Sequence, residues 1–386
     1  MTPREPAALG LEEGRYARFE KIEWWQQERL QKARVLVVGA GALGNEVLKN
    51  FALLGLRHVV IVDMDCIEAS NLTRSILFRA SNQGMSKAEC AAVMMQEICP
   101  EVHPIPMVGN ILADIGLGIF RWADVVVGAL DNREARVFVN AACAQVGKPW
   151  IDGGIEVLHG IVRGFNPPES SCYECTMSQA DWQQINQRRS CSLLERRALA
   201  NNGTPTTPTT ASVIGAMQAQ EVVKWLHGLE TLQGKGYFFD GLSHDSYAVT
   251  YPINPECPWH EPPPEIEPLP QMTSETPLSV VAEYARQKLG GLDAIDLARE
   301  LVRALACPTC GQTVPVWQSL ENISAERAVC AHCGAEAAPV FLHAIEGGSE
   351  LLEMTPRQLG LPRWDIVWAR SGDLCLGLEI SGDNPL

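Results

Sequence analysis

Short apolar runs alternate with amphipathic stretches along the first 150 residues. Residues 34–38 form an apolar run that enters a glycine-rich turn, and residues 45–54 follow with helical spacing and close at Gly55. Residues 58–62 are a second run, and 87–98 a second amphipathic stretch stopped before Pro100. Residues 123–129 are a third run, and 133–146 a helix ending at Gly147. Alternation of this kind predicts an α/β fold built on a doubly wound, Rossmann-like, mostly parallel sheet. Upstream, residues 11–32 are amphipathic and read as one helix.

Strands are expected again at 161–165, 236–239 and 246–251. Between them lie a polar, arginine-rich segment at 178–202, a Thr/Pro tract at 203–210, and a helix at 212–226 ending at Gly228. The tract reads as too proline-rich for a helix, hence as a strap or hinge. Residues 252–270 are rich in proline and mark a boundary. The expected organisation is a first domain over 1–260 with its core at 33–150 and a crossover segment at 176–211. A linker at 261–278 and a smaller, β-rich domain over 279–386 complete it.

Composition narrows the function classes. A net charge of −15 over 386 residues disfavours nonspecific binding to nucleic acid or to anionic membranes. No apolar run reaches the roughly 18 residues of a membrane span, and residues 1–6 carry no apolar stretch of the signal-peptide kind. The expected compartment is the cytoplasm. There, six of the 13 cysteines, paired as Cys172/Cys175, Cys307/Cys310 and Cys330/Cys333, read as metal sites before disulfides.

The glycine turn reads Gly39-Ala-Gly41-Ala-Leu-Gly44, between a strand and a helix, and Asp63 ends the next strand 19 residues later. Glycines let backbone approach a phosphate, a helix N-terminus favours anions, and an acid at that distance suits ribose hydroxyls. A glycine turn without a ligand is the bland alternative. The motif does not separate NAD from ATP; its neighbours do. Arg74 and Lys87 would be excessive beside NAD and suit a triphosphate, and Asp131, at the carboxyl end of the third strand, suits magnesium. Taken singly, Asp131 could be a helix cap, and Arg74 or Lys87 surface charges.

Cys307-Pro-Thr-Cys310 and Cys330-Ala-His-Cys333 enclose 19 residues, and each pair is followed by glycine (Gly311, Gly334), which is zinc-ribbon spacing. Two reactive dithiols are the alternative. The ribbon would staple a domain with little core of its own; docking a protein partner is its expected use.

Residues 15–260 resemble the MoeB/ThiF/ubiquitin-activating enzyme superfamily, most of all a homodimeric bacterial activating enzyme for a ubiquitin-like protein. The match rests on Gly39-x-Gly41-x-x-Gly44, Asp63-x-Asp65, Asn71-Leu-x-Arg74, Lys87, Asp131-Asn132-x-x-x-Arg136, Cys172-x-x-Cys175 and an upstream Arg15-Tyr-Ala-Arg18. The resemblance implies an ATP site formed by these residues. Asp63 would hold the ribose, Arg74, Lys87 and Arg18 would neutralise phosphates, and Asp131 would bind magnesium, with Arg18 acting across a homodimer. It implies as substrate the C-terminal carboxylate of a ubiquitin-like protein, usually ending in glycine, converted to an acyl-adenylate. It also implies zinc at Cys172 and Cys175, completed here by Cys257 and His260. Ser75 departs from the glutamine common at that position.

Some members then move the acyl group to a cysteine. Cys191 is the candidate: Arg188, Arg189, Arg196 and Arg197 flank it, and nearby cations favour thiolate. The alternative is an apolar helix position sharing a face with Ile185 and Leu194. Cys66, Cys90, Cys99, Cys143 and Cys375 read as core. A thioester at Cys191 implies transfer to a conjugating enzyme. The rivals are a MoeB/ThiF-type sulfur-carrier adenylyltransferase without a thioester step, an inactive scaffold subunit, and, as outsider, an NAD-dependent dehydrogenase.

Overall fold

The computed structural model describes residues 14–190, 205–324 and 326–386, with 186–190 described by backbone only. Its larger sheet holds β1 (Arg34–Val38), β2 (His58–Asp63), β3 (His103–Val108), β4 (Val125–Gly128), β5 (Trp150–Glu156), β6 (His159–Phe165), β7 (Lys235–Asp240) and β8 (Asp245–Thr250). They lie in the order β3-β2-β1-β4-β5-β6-β7-β8. The first five run parallel, and β5 to β8 form an antiparallel extension. The strand order reverses between β1 and β4, which places a crevice at their carboxyl ends.

Five helices cross between the strands or cover them: α1 (Gln27–Lys32), α2 (Ala42–Leu54), α3 (Lys87–Ile98), α4 (Leu117–Trp122) and α5 (Arg133–Gln145). A short α6 (Gln179–Ser190) precedes the undescribed crossover, and α7 (Pro208–His227) follows it. Core residues of α2, α3 and α7 share one cluster with Val35, Val37, Val59 and Ile61. Alternate residues Leu36, Val38, Val60 and Val62 face the opposite cluster, with α4 and α5. Both faces of the central strands are therefore buried, as near-continuous apolar runs require.

Two sequence expectations are corrected. Residues 14–32 are not one helix: only a 3₁₀ turn (Phe19–Lys21) and α1 form there. Tyr16 packs against Gly55 and its hydroxyl meets Cys99 Sγ at 3.6 Å, while Trp24 and Trp25 pack on His227. These anchors on separate elements outweigh helix propensity. The Thr/Pro tract also contributes to a helix, because Pro208 is the first residue of α7 and Thr207 Oγ1 caps it by accepting from Thr210 N. Proline costs nothing at that position, whose N–H has no helical partner.

The C-terminal sheet contains β9 (Ile266–Pro268), β10 (Ala294–Ala306), β11 (Thr313–Ser319), β12 (Ala338–Glu346), β13 (Ile366–Ser371) and β14 (Leu374–Glu379). Its order is β11-β10-β13-β14-β9, with β12 also on β10. Helix α8 (Leu278–Leu289) covers it through Leu278, Val281, Ala282 and Ala285, and a short α9 (Pro356–Leu359) lies near its edge. β9 falls within the proline-rich stretch and pairs with β14. Trp364, Ile366 and Trp368 complete the α4–α5 cluster, so the two sheets share a core. No helix among the described residues is long and apolar enough to cross a membrane.

Candidate active site and metal centres

The three motif glycines do different work. Gly39 has φ +99°, and a Cβ there would lie 2.3 Å from Ala129 O; at Gly44 it would lie 2.0 Å from Gly39 O. These two keep the turn tight against β4 and α2. Among the described residues a Cβ on Gly41 would meet nothing within 4 Å, and no side chain caps the helix that starts after it. The open side of the turn therefore presents uncapped helix N–H groups, which suits an anion.

Asp63 Oδ2 accepts from Ala40 N at 2.7 Å and Oδ1 from Asp65 N at 2.8 Å. Each oxygen keeps a second lone pair for a ribose hydroxyl. Burial raises the Asp63 carboxyl above its ordinary value, opposed by the Ala40 and Asp65 N–H groups. Protonation as the pH falls thus begins earlier than for an ordinary aspartate. Wild type is expected to bind ATP more tightly than Asp63→Asn at neutral pH. In equilibrium titrations that advantage should shrink on acidification, at a pH above the usual aspartate range.

Lys87 Nζ meets Asp65 Oδ2 at 2.7 Å, with the lysine buried and the aspartate exposed. Asn71 Oδ1 accepts from Glu68 N in a 3₁₀ turn (Ala69–Thr73), and Arg74 is held by Ser70 O at 2.9 Å. Ser75 is buried. Asn132 Oδ1 caps α5 by accepting from Ala135 N at 2.8 Å, and its Nδ2 donates to the exposed Asp131 at 3.1 Å. The glycine turn, Asp63, Asp65, Lys87, Asp131 and Asn132 thus gather at the carboxyl ends of β1, β2 and β4.

Arg136 stands differently. Its Nε donates to the fully buried Asp152 at 2.8 Å, and its Nη2 donates to Leu130 O and Gly153 O. Asp152 is shared with Arg163, whose guanidinium stacks on Tyr173. Arg136 is thereby committed to clamping the Asp131 loop onto β5. Arg18 is exposed, two residues from Tyr16, which docks where α2 and α3 end; the structure does not bring it to the glycine turn of its own chain.

Sequence reasoning missed two further supports. Buried Asn45 donates to Ala40 O and Gly41 O and accepts from Leu77 N at 2.8 Å, tying the turn to the stretch that follows Arg74. Buried Gln218 donates to Gly128 O at 2.8 Å beneath the crevice. The only signal for either was a polar residue inside an apolar helical stretch.

Both cysteine groups assemble. Cys172, Cys175, Cys257 and His260 present ligand atoms within 4.8 Å of one another, as do Cys307, Cys310, Cys330 and Cys333. In the first, Cys175 Sγ lies 3.0 Å from His260 Nε2, and Asn254 N donates to the same sulfur at 3.4 Å. Burial pushes the Cys172 thiol up, so a bound cation is what would hold it as thiolate. In the second, Gly311 and Gly334 both take φ +73°, and their N–H groups close equivalent turns onto Cys307 O and Cys330 O. A Cys₃His and a Cys₄ set both suit tetrahedral zinc. Of the remaining cysteines, Cys90, Cys99 and Cys143 are buried as expected. Cys66 and Cys375 are exposed, a correction that follows from their places in a loop after β2 and on the outer part of β14.

The ThiF family profile matches residues 14–259. The chain belongs to the ThiF family. The Haloferax volcanii SAMP-activating enzyme E1 is 31% identical over 234 residues, which cover 60% of this chain and 82% of that protein. The Thermus thermophilus sulfur carrier protein adenylyltransferase is 33% identical over 238 residues, covering 60% and 83%. The SUMO-activating enzyme subunit uba-2 of Caenorhabditis elegans is 36% identical over 154 residues, and the match spans only 26% of its length. Escherichia coli MccB, solved with ATP, shares the fold of this chain at a TM-score of 0.54 and 21% identity, over 66% of this chain and 75% of MccB.

Proposed function

We propose that this ThiF-family protein uses ATP to adenylate the C-terminal carboxylate of a ubiquitin-like protein. The observation that carries the reading is the open face of Gly41 at the switch point of the sheet, with Asp63 bonded to the neighbouring Ala40 N and the Lys87–Asp65 pair and Asp131 on the loops that follow β2 and β4. A carboxylate oxygen attacks the α-phosphorus, the bond to the β-phosphate bridging oxygen breaks, and pyrophosphate leaves. The uncapped α2 N-terminus, Arg74 and Lys87 offset the phosphate charge, and Asp63 orients the adenosine. Lys87 exchanges part of its contact with Asp65 for phosphate. Asp131, with magnesium bound, would supply the cation that neutralises the departing pyrophosphate. Arg18 serves the site of a second copy in a homodimer.

The acyl group then passes to Cys191. Its thiolate attacks the acyl carbonyl, a thioester forms and AMP leaves, and a conjugating enzyme takes the acyl group. Cys191 lies outside the described residues; the arginines flanking it in sequence support its ionisation. Cys191→Ser is expected to retain pyrophosphate exchange and to lose a reductant-sensitive adduct with the ubiquitin-like protein on non-reducing gels. An adduct that survives the change would reject Cys191. Exchange in a wild-type protein that forms no adduct would favour the sulfur-carrier adenylyltransferase reading instead.

A further inference from the structure

The C-terminal sheet is fastened to one particular loop, residues 109–117, which follows β3 at the carboxyl edge of the larger sheet. Val108 pairs in register with Asp63, and Gly109 N donates to Asp63 O. Beyond the ribose acid, this loop is the next segment outward along the crevice. It is compact: Asn110 N donates to Asp114 Oδ2 at 2.8 Å, and Ala113 N and Asp114 N both donate to Asn110 O.

Three residues of the C-terminal domain hold it: one in β10, one in a 3₁₀ turn after β11 and one just before β13. Arg299 donates to Ala113 O at 3.2 Å and to Ile115 O at 2.9 Å, and pairs with Asp365 at 3.3 Å. Asp365 Oδ1 also accepts from Leu117 N at 2.9 Å. Asn322 Nδ2 donates to Asp114 Oδ1 at 2.8 Å. The Arg299 and Asp365 side chains are each only 2% exposed. Charges so buried are costly without these partners, so the arrangement is strongly specified. Arg299 falls where the β10–β12 register shifts between Asp296 and Leu301, so it lies outside the regular pairing of these strands. Trp364 backs the same junction, lying against Gly116 and Gly118, where a Cβ would come within 2.4 Å of it.

We propose that the C-terminal domain completes the adenosine end of the nucleotide site. Arg299, Asn322 and Asp365 are positioning residues that hold the 109–117 loop, and through it Asp63, in the ATP-binding arrangement. This rests on the reading of the glycine turn as an ATP site. The junction couples the zinc-bearing domain to nucleotide affinity, where a tethered domain would leave the site indifferent to it.

The test uses the full-length chain and direct binding of ATP and of AMP, by calorimetry. The variants are Arg299→Met with Asp365→Leu, which removes both buried charges together, and Asn322→Ala at the exposed rim. The double variant is expected to bind ATP about tenfold more weakly, within the usual span of coupling between sites. Asn322→Ala should weaken binding severalfold. AMP should lose the same factor as ATP, because the effect enters at the ribose. In exchange assays KM for ATP should rise with kcat unchanged. Wild-type affinity for both nucleotides in the folded variants would overturn the proposal. If the double variant does not fold, Asn322→Ala decides, and unchanged affinity there overturns it equally. A wild-type chain that binds neither nucleotide would instead remove the ATP-site reading and the proposal with it.

Discussion

Asp131→Ala is expected to lower carrier-dependent pyrophosphate exchange by about a hundredfold to a thousandfold, the usual effect of removing a group that stabilises transition-state charge. Stability should barely change. Asp131 is exposed, and among the described residues its carboxylate takes one hydrogen bond, from Asn132 Nδ2 at 3.1 Å. Truncating such a side chain typically shifts stability by no more than about 0.5 kcal/mol. The loop that carries it stays in place, because Arg136 holds Leu130 O and Asn132 caps α5. Thermal melting therefore separates lost chemistry from lost fold. Near-normal exchange in Asp131→Ala would remove this residue from the reaction.

Removal of the zinc that the cysteine ribbon is proposed to hold is the second large expected effect. Among the described residues, the ribbon's own cluster has four buried members, Val302, Leu305, Ile323 and Ala337, against 18 in the neighbouring core of the C-terminal sheet. So small a core does not offset chain entropy, whereas structural zinc contributes on the order of 10 kcal/mol or more in small peptides. Chelation, or Cys310→Ser, is expected to unfold residues 307–337 while β13 and β14 stay protected in hydrogen exchange. Metal analysis should find two zinc ions per native chain and one after Cys310→Ser. Since Asn322 lies in the released segment, ATP affinity should fall with it. A metal-free chain whose ribbon remains protected would contradict this account.

Much of the parallel core could be read from the sequence because its signals are local. The strand at 34–38, the helix at 87–98 and the stop at Gly228 each rest on adjacent residues, and the structure keeps all three. β3 was not legible, since Pro104 and Pro106 argue against a strand. The sheet tolerates them because β3 is an edge strand with one side free. β10 contains Ala-Arg-Glu-Leu-Val-Arg-Ala-Leu, a helix-forming composition, yet β11, β12 and β13 all pair with it. Pairing across the chain outweighs propensity there.

The site shows the same division. The glycine turn, Asp63 and the Cys307–Cys333 set could be found from spacing, whereas Cys257 and His260 joined Cys172 and Cys175 only through the family resemblance. Arg136 could not be separated from a nucleotide ligand by spacing, because its partner Asp152 lies 16 residues away and Arg163 a further 11. The junction of Arg299 and Asp365 with the 109–117 loop spans more than 180 residues, and no motif announces it.

Exchange of labelled pyrophosphate into ATP tests the central claim most directly. With wild-type protein, magnesium and a ubiquitin-like protein ending in glycine, label should enter ATP, and it should stop when the carrier's C-terminal glycine is removed. Absence of exchange with every glycine-terminated carrier tried, in a chain that binds ATP, would contradict adenylation of a protein carboxylate.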